Sequence, residues 1–224
     1  MSINIGILNC YSDEPESAPS ASHFKKFIPR ADIVNICHNI KVSDINNYNG
    51  FIISGSRSSH KDNADWINYL EKLIRQIYLE NIPCLAVCFG HQLVAKVFGG
   101  KTVLNQYGEN GFQNVPTKYS NYKIELFYNL PNPVKIYQSH NDAVIKSPPG
   151  SLNTINNEKC VQYFQYGAIH SMQSHPEISV SIAIKIAKRD NQDVALMLNG
   201  VNDENVKSHI VLNNFIKIIE QTRK

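Results

Sequence analysis

The chain has 224 residues, 42% hydrophobic and 18% charged, which is enough for one α/β domain spanning 1–224 with a sizeable core and too little for two. Its 22 basic and 19 acidic side chains give a formal net charge of +3 and are spread along the chain, so no concentrated field is offered to a phosphate backbone and nucleic-acid binding is not expected. No apolar run approaches the ~20 residues of a membrane-spanning helix and no early segment has the layout of a secretory signal, so the expectation is a cytoplasmic protein with no membrane partner.

In chain order, residues 3–8, 32–36 and 51–53 are short apolar runs that predict buried parallel strands. Between the first two, Pro15, Pro19 and Pro29 and a helical pattern confined to 23–28 predict a loop followed by a short helix. Residues 63–78 place Trp66, Leu70, Leu73 and Ile77 at helical spacing, and Asn81-Ile-Pro83 stops that helix before an apolar strand at 84–87. Strand, helix and strand in this order form a crossover unit, which implies a parallel sheet. A further helix is expected over 92–98.

After Gly99-Gly100 the segments 123–127, 134–139, 143–146, 151–156 and 161–165 are short, strand-like and separated by Pro, Gly and Asn turns. They predict a smaller antiparallel region packed beside the main sheet. Residues 166–173 then read as a strand that delivers His175, and 180–188 and 206–222 as closing helices. A helical piece interrupted at Asn199-Gly200 is expected within 190–204. The basic run Lys185-Ile-Ala-Lys-Arg189 reads as the solvated face of a helix.

The five cysteines, at 10, 37, 84, 88 and 160, are odd in number and lack a repeated close spacing, so neither disulfides nor a structural zinc site is expected. Four of them read as packed small hydrophobes. Cys88 differs, because Cys-Leu-Ala-Val-Cys-Phe-Gly-His-Gln at 84–92 is an apolar strand that breaks at Cys88 and runs into a helix. Such a turn lifts one thiol out of the sheet toward the positive end of the helix, which favours negative charge on sulfur. Far downstream, Gln-Ser-His-Pro-Glu at 173–177 sets the His175 imidazole and the Glu177 carboxylate two residues apart, a general base with its orienting partner. Gly55 ends the strand at 51–53, and in an open parallel sheet its turn faces the same crevice as Cys88, where backbone N–H groups can meet an oxyanion.

Gly55-Ser56, Cys-Phe-Gly-His-Gln at 88–92 and Ser-His-Pro-Glu at 174–177 together resemble the class I, Cys-His-Glu triad, glutamine amidotransferase family. Asp65-Trp66, Gly99-Gly100, Glu109, Gly111 and Ser139-His140-x-Asp142-x-Val144 extend the likeness over nearly the full length, toward its stand-alone, GMP synthase-like branch. The resemblance implies a flavodoxin-like α/β fold, an open, mostly parallel sheet flanked by helices with a smaller antiparallel region. It implies Cys88 as nucleophile, His175 as general base and Glu177 as the group that orients the imidazole. The Gly55 and Phe89 N–H groups would form the oxyanion hole, and Ser56, Gln92 and Ser139 would contact substrate. His91 and His140 match motif positions and read equally well as structural hydrogen-bonding residues. Two positions depart from the family pattern: Ala86 stands where Gly is common, and Asn110 precedes Gly111 where an apolar residue is common.

The activity so implied is ammonia release from glutamine through a Cys thioester, with no metal or other cofactor, as the glutaminase component of a separate synthetase. Ser54-Gly-Ser-Arg-Ser-Ser59 lacks the Gly-Lys-Ser/Thr ending of a phosphate loop, so ATP use by this chain is not expected. An independent γ-glutamyl hydrolase shares the chemistry and stays open, as does a non-enzymatic interaction protein that has kept the fold.

Overall fold

A computed structural model describes residues 3–12, 21–119 and 122–222; the loop expected over 14–20 lies outside them. The first half consists of β1 (Ile5–Leu8), α1 (Ala21–Phe24), β2 (Asp32–Val34), β3 (Gly50–Ile53), α2 (Asp65–Leu79), β4 (Cys84–Val87) and α3 (Phe89–Val97). The strands β5 (Lys101–Val103), β6 (Glu109–Val115), β7 (Lys118–Tyr119), β8 (Tyr122–Lys123) and β9 (Val134–His140) follow, then β10 (Ala143–Lys146), β11 (Leu152–Asn156), β12 (Val161–Tyr166) and β13 (Ile169–Met172). Helices α4 (Val180–Arg189), α5 (Val194–Leu198) and α6 (Ile210–Thr222) come last.

Seven strands form the central sheet in the order β11-β12-β13-β4-β3-β1-β2. The five from β13 to β2 are parallel, and β12 and β11 extend the edge antiparallel. The parallel set thus has the doubly wound 2-1-3-4-5 order, which opens a crevice at the carboxyl ends of its strands. This is the open, mostly parallel α/β sheet expected from the sequence.

The apolar runs of β1, β3 and β4 alternate between two cores, as strands covered on both faces must. Ile5, Ile7, Ile52, Leu85 and Val87 pack with Phe24 of α1 and with Val211, Leu212 and Phe215 of α6. Leu8, Phe51, Ile53, Cys84 and Ala86 face Leu70, Ile74 and Ile77 of α2 and Leu93 and Val94 of α3. Ala86 is fully buried there, so the methyl group at the position where Gly is common is accommodated. Cys84 and Cys88 stand at opposite ends of β4. A third core joins Phe112 and Tyr137 of β6 and β9 to Ile182, Ile186 and Met197 of α4 and α5. Ser179 caps α4 by accepting from the Ile182 N–H, and Asp193 caps α5 from the Leu196 N–H. No helix among the described residues is long and apolar enough to cross a membrane.

Several expectations change. The run 123–127 is not one strand: β8 ends at Lys123 and Glu125–Phe127 is a 3-10 turn. That turn puts Leu126 and Phe127 into the core together, and the Asn214 side chain holds it by donating to the Leu126 and Tyr128 carbonyls at 3.0 and 2.8 Å. The antiparallel region does not lie wholly beside the main sheet, because β11 and β12 belong to it. The strand expected over 166–173 is split by Gly167-Ala168, a two-residue hairpin turn with Gly167 at φ 59°. Helix α6 starts at Ile210 rather than 206, and β2 stops at Val34 before a 3-10 turn. On α2, Ile67 and Ile74 are buried with Leu70, Leu73 and Ile77, whereas Trp66 is partly buried and packs on Phe89 with ring centroids 5.5 Å apart.

Helix α3 lies so close to β3 that a methyl group on Gly90 would sit 2.9 Å from Ile53 Cγ2 and 3.0 Å from the Ile53 carbonyl oxygen. Gly90→Ala therefore overpacks the interface beneath Cys88, and we expect a loss of about 1–3 kcal/mol in stability. Chemical denaturation checks this; an unchanged midpoint would show that the two elements are not in close contact.

Candidate active site

Cys88 leaves β4 at φ 52°, ψ −101°, a conformation that L residues rarely adopt, and caps the N-terminus of α3. Two backbone bonds hold this elbow: the Cys88 N–H donates to the Met172 carbonyl at 2.9 Å, and the Cys88 carbonyl accepts from the Gln92 N–H at 3.0 Å. The first ties the end of β4 to the end of β13, and the second closes the first turn of α3. Strain that persists in this way requires a surrounding structure that over-determines it.

His175 lies three residues beyond β13. Its N–H donates to the Tyr137 carbonyl of β9 at 2.8 Å, and its carbonyl accepts from the Ile178 N–H across a turn with Pro176 at the second position. The turn folds Glu177 back, so that Nδ1–H donates to Glu177 Oε1 at 2.7 Å with both side chains buried. This bond leaves Nε2 as the free face of the ring, and Nε2 has no hydrogen-bond partner among the described residues. Burial disfavours the imidazolium, but the Glu177 carboxylate and the Cys88 sulfur outweigh it and hold the His175 pKa well above its usual value.

Gly55 follows β3, and its turn is fixed by Ser54, whose hydroxyl accepts from the Cys10 N–H at 2.9 Å and donates to the Gly55 carbonyl at 3.0 Å. A methyl group on Gly55 would lie 2.9 Å from His175 Cε1 and 3.7 Å from Cys88 Cβ. The two side chains named from the sequence therefore flank one point, next to the glycine expected beside them. The Phe89 N–H, in the first turn of α3, has no acceptor within the helix.

These groups open on a polar cleft of about 850 Å³. Ser56, Gln92 and Ser139 all line it. The Ser139 carbonyl accepts from the Cys88 thiol at 3.7 Å, while the Gln92 amide donates to the Asp142 carbonyl at 2.8 Å and so braces the β9–β10 turn. The Ser56 hydroxyl accepts from the Ser58 N–H at 3.1 Å. His91 is elsewhere: it is buried between the Ser171 hydroxyl and the Val161 carbonyl, and burial pushes its pKa down to about 3. His140 lines the cleft and bonds to the Asp142 carbonyl and Glu109.

Sequence reasoning did not single out Tyr11, Arg57, Arg189 or Asp190, which also line the cleft. Arg57 Nε–H donates to the Tyr11 hydroxyl at 2.9 Å, and Arg189 pairs with Asp190 at 2.6 Å. Tyr11 had one usable signal, its place just past the carboxyl end of a parallel strand. The arginines had none.

Residues 23–185 match the family model described as glutamine amidotransferase class-I. Over 153 residues the chain is 29% identical to gamma-glutamyl peptidase 3 of Arabidopsis thaliana, a match covering 66% of this chain and 61% of that protein. It is 33% identical over 102 residues to a subunit of the glutamine-hydrolyzing GMP synthase of Thermococcus kodakarensis, covering 44% of this chain and 53% of the other. The chain thus spans between 53% and 61% of the length of these curated relatives. A solved structure of a glutamine amidotransferase from Thermotoga maritima matches with a TM-score of 0.80 at 19% identity, over 97% of this chain and 98% of that one, which is a likeness of fold.

The short His175–Glu177 bond predicts a proton affinity that can be measured directly. A carboxylate favours the charged ring, so Glu177→Gln removes that support and the His175 pKa falls. In an NMR titration the wild-type ring should keep its proton well past the ordinary histidine value of about 6.5, and the variant should lose it at lower pH. Equal midpoints would mean that the carboxylate does not act on the ring.

Proposed function

Because the chain belongs to the class-I glutamine amidotransferase family, we propose that it hydrolyses the side-chain amide of glutamine or of a γ-glutamyl compound through a thioester on Cys88. The observation that carries this reading is the convergence of Cys88 and His175 on Gly55. An amide carbonyl is a poor electrophile, and a covalent intermediate splits one hard step into two. The Cys88 thiol gives its proton to His175 Nε2 as the sulfur adds to the carbonyl carbon, and the Gly55 and Phe89 N–H groups receive the oxyanion. Such donors are worth about 3–4 kcal/mol each when aimed at the tetrahedral intermediate. His175, protonated at Nε2, gives that proton to the leaving nitrogen as the C–N bond breaks. The ring then takes a proton from water, the resulting hydroxide adds to the thioester, and the C–S bond breaks to release the acid and the thiolate. Glu177 stabilises the charged ring and keeps Nε2 turned to the cleft.

In the first form of this reading the chain is a glutaminase component that passes ammonia to a separate synthetase, supported by the likeness to one subunit of a GMP synthase. A second form, an independent γ-glutamyl hydrolase, is favoured by the cleft itself. Its volume and its polar rim from Tyr11 to Arg189 leave room for a group beyond the scissile amide. The likeness to a gamma-glutamyl peptidase supports the same form.

Ammonia or amine release from glutamine and from a panel of γ-glutamyl peptides, measured on wild type and Cys88→Ala, tests the chemistry and separates the two forms. Cys88→Ala should lose about 10⁴-fold or more with every substrate that the wild type cleaves; comparable turnover in the variant would remove the thioester. Faster cleavage of a peptide than of glutamine, with no second protein present, selects the independent hydrolase.

Gly55→Ala forces the His175 ring away from its place, so kcat should fall about a hundredfold, as a displacement near 1 Å costs in an oriented site. Steady-state kinetics on a variant with native thermal stability check it, and full activity would show that the ring does not sit against Gly55 during turnover.

A further inference from the structure

Beside the cleft, and separate from the Cys88–His175 pair, Glu109 of β6, His140 of β9 and Cys160, just before β12, bring a carboxylate, an imidazole and a thiol together. All three residues are buried, and their ligand atoms lie within 4.8 Å of one another. The spacing of the cysteines gives no metal motif because the set comes from three separate segments. We propose that Glu109, His140 and Cys160 bind one zinc-like divalent cation, which clamps the β6–β9 wall of the cleft.

The distances carry the argument. Glu109 Oε2 is 3.3 Å from His140 Nε2 and 3.6 Å from Cys160 Sγ. With metal bonds to N and O near 2.0–2.1 Å and to S near 2.3 Å, a tetrahedral centre has N···O edges of about 3.3 Å and S···O edges of about 3.5 Å. Among the described residues, His175 and Glu177 provide a contrast, approaching to 2.7 Å, the length of a charge-assisted hydrogen bond, while His60 and the partly buried Asp142 stand 3.6 Å apart. His140 and Glu109 stand farther apart than the first pair, at the separation of two ligands on one ion.

The surrounding groups are those a metal site uses. His140 Nδ1–H donates to the Asp142 carbonyl at 3.0 Å, which leaves Nε2 as the ligating nitrogen. Glu109 Oε1 accepts from Asn157 at 2.9 Å, which turns Oε2 toward His140 and Cys160. The Gln162 NH2 donates to Glu109 Oε2 and to Cys160 Sγ at 2.7 and 3.1 Å, bonds that the ion replaces. Gln138 in turn donates to Gln162 Oε1 at 2.7 Å, so the fourth position is left to a water from the cleft. Glu109 and His140 line the cleft, which supplies the entry path. Burial and the nearby Glu109 push the Cys160 thiol up to about 12, so the ion has to displace that proton, as coordinating thiols require. The mixed sulfur, nitrogen and oxygen set suits a borderline divalent ion rather than magnesium or calcium.

The test uses Co²⁺ as a spectroscopic stand-in, on full-length Cys88→Ala protein so that the cleft thiol cannot bind it. One equivalent should produce a thiolate-to-cobalt charge-transfer band together with the intense visible bands of a tetrahedral site, and Zn²⁺ should displace it. Cys160→Ser should lose the charge-transfer band, and the near-isosteric Glu109→Gln should weaken binding at least about tenfold. Zn²⁺ should raise the melting temperature of the parent and not that of Cys160→Ser. Absence of the band at stoichiometric Co²⁺, or its survival in Cys160→Ser, would overturn the proposal and leave the three residues as a hydrogen-bonded cluster.

Discussion

The pairing of β4 with β13 sets the position of Cys88 relative to His175. Val87 stands beside Met172 in the parallel ladder, and one step later the Cys88 N–H meets the Met172 carbonyl. From that point one chain turns into α3 while the other needs only three residues to reach His175. The separation of sulfur and imidazole is therefore a property of backbone register at the centre of the sheet, not of side-chain reach. Side chains on a strand alternate faces, so a slip of one residue in β13 would exchange its two faces and carry His175 out of place. The strained backbone at Cys88 persists because the β13 ladder fixes it on one side and the first turn of α3 on the other.

Burial alone does not make a histidine reactive. His91, His170 and His175 are all buried, yet the first two are pushed down, to about 3 and about 4, while the third is raised. The difference is the partner. His91 meets a hydroxyl and a carbonyl and His170 meets the Tyr163 hydroxyl, neutral groups that cannot repay the desolvation of a charged ring. His175 meets a carboxylate. A buried ion pair is a weak source of stability, because removing both charges from water costs about as much as their attraction returns. Its retention beside a strained cysteine is better explained by the reaction proposed for the site than by folding.

This difference also explains what could be read from the sequence. Cys88, His175 and Glu177 were legible because their geometry is local: a strand that breaks at a cysteine before a helix, and a proline turn that folds a glutamate back on a histidine. The parallel core was legible for the same reason, since uninterrupted apolar runs need cover on both faces. Strand β6 was not. Its sequence, Glu-Asn-Gly-Phe-Gln-Asn-Val, is mostly polar, and its extended state is imposed by seven paired positions on β9, with Gly111 at φ 78° against the Met197 backbone. The 3-10 turn at 125–127 reads as strand because Ile124, Leu126 and Phe127 are apolar in either state, and only the contact with α6 decides between them. Arg57 and Arg189 reach the cleft from loop and helix ends that carry no local mark.

The cleft accordingly has two walls of different origin. One is formed by the carboxyl ends of β3, β4 and β13, where backbone hydrogen bonds in the parallel sheet hold Gly55, Cys88 and the approach to His175. The other comes from β6, the β9–β10 turn and the end of α4, which meet only through contacts distant in sequence. The two departures from the family pattern fall on different sides of this division. Ala86 lies in the closed core behind the first wall, where a methyl group has no access to the cleft. Asn110 lies on the second, lines the cleft, and reaches Gln192 with a 2.9 Å hydrogen bond between side chains. An apolar residue in its place could not make that bond, so this departure changes the chemistry of the rim while leaving the first wall untouched. In the proposed reaction, selectivity among amides belongs to the wall built from long-range contacts, which is why the sequence spoke more clearly about the chemistry of the first wall than about the molecule the second would hold.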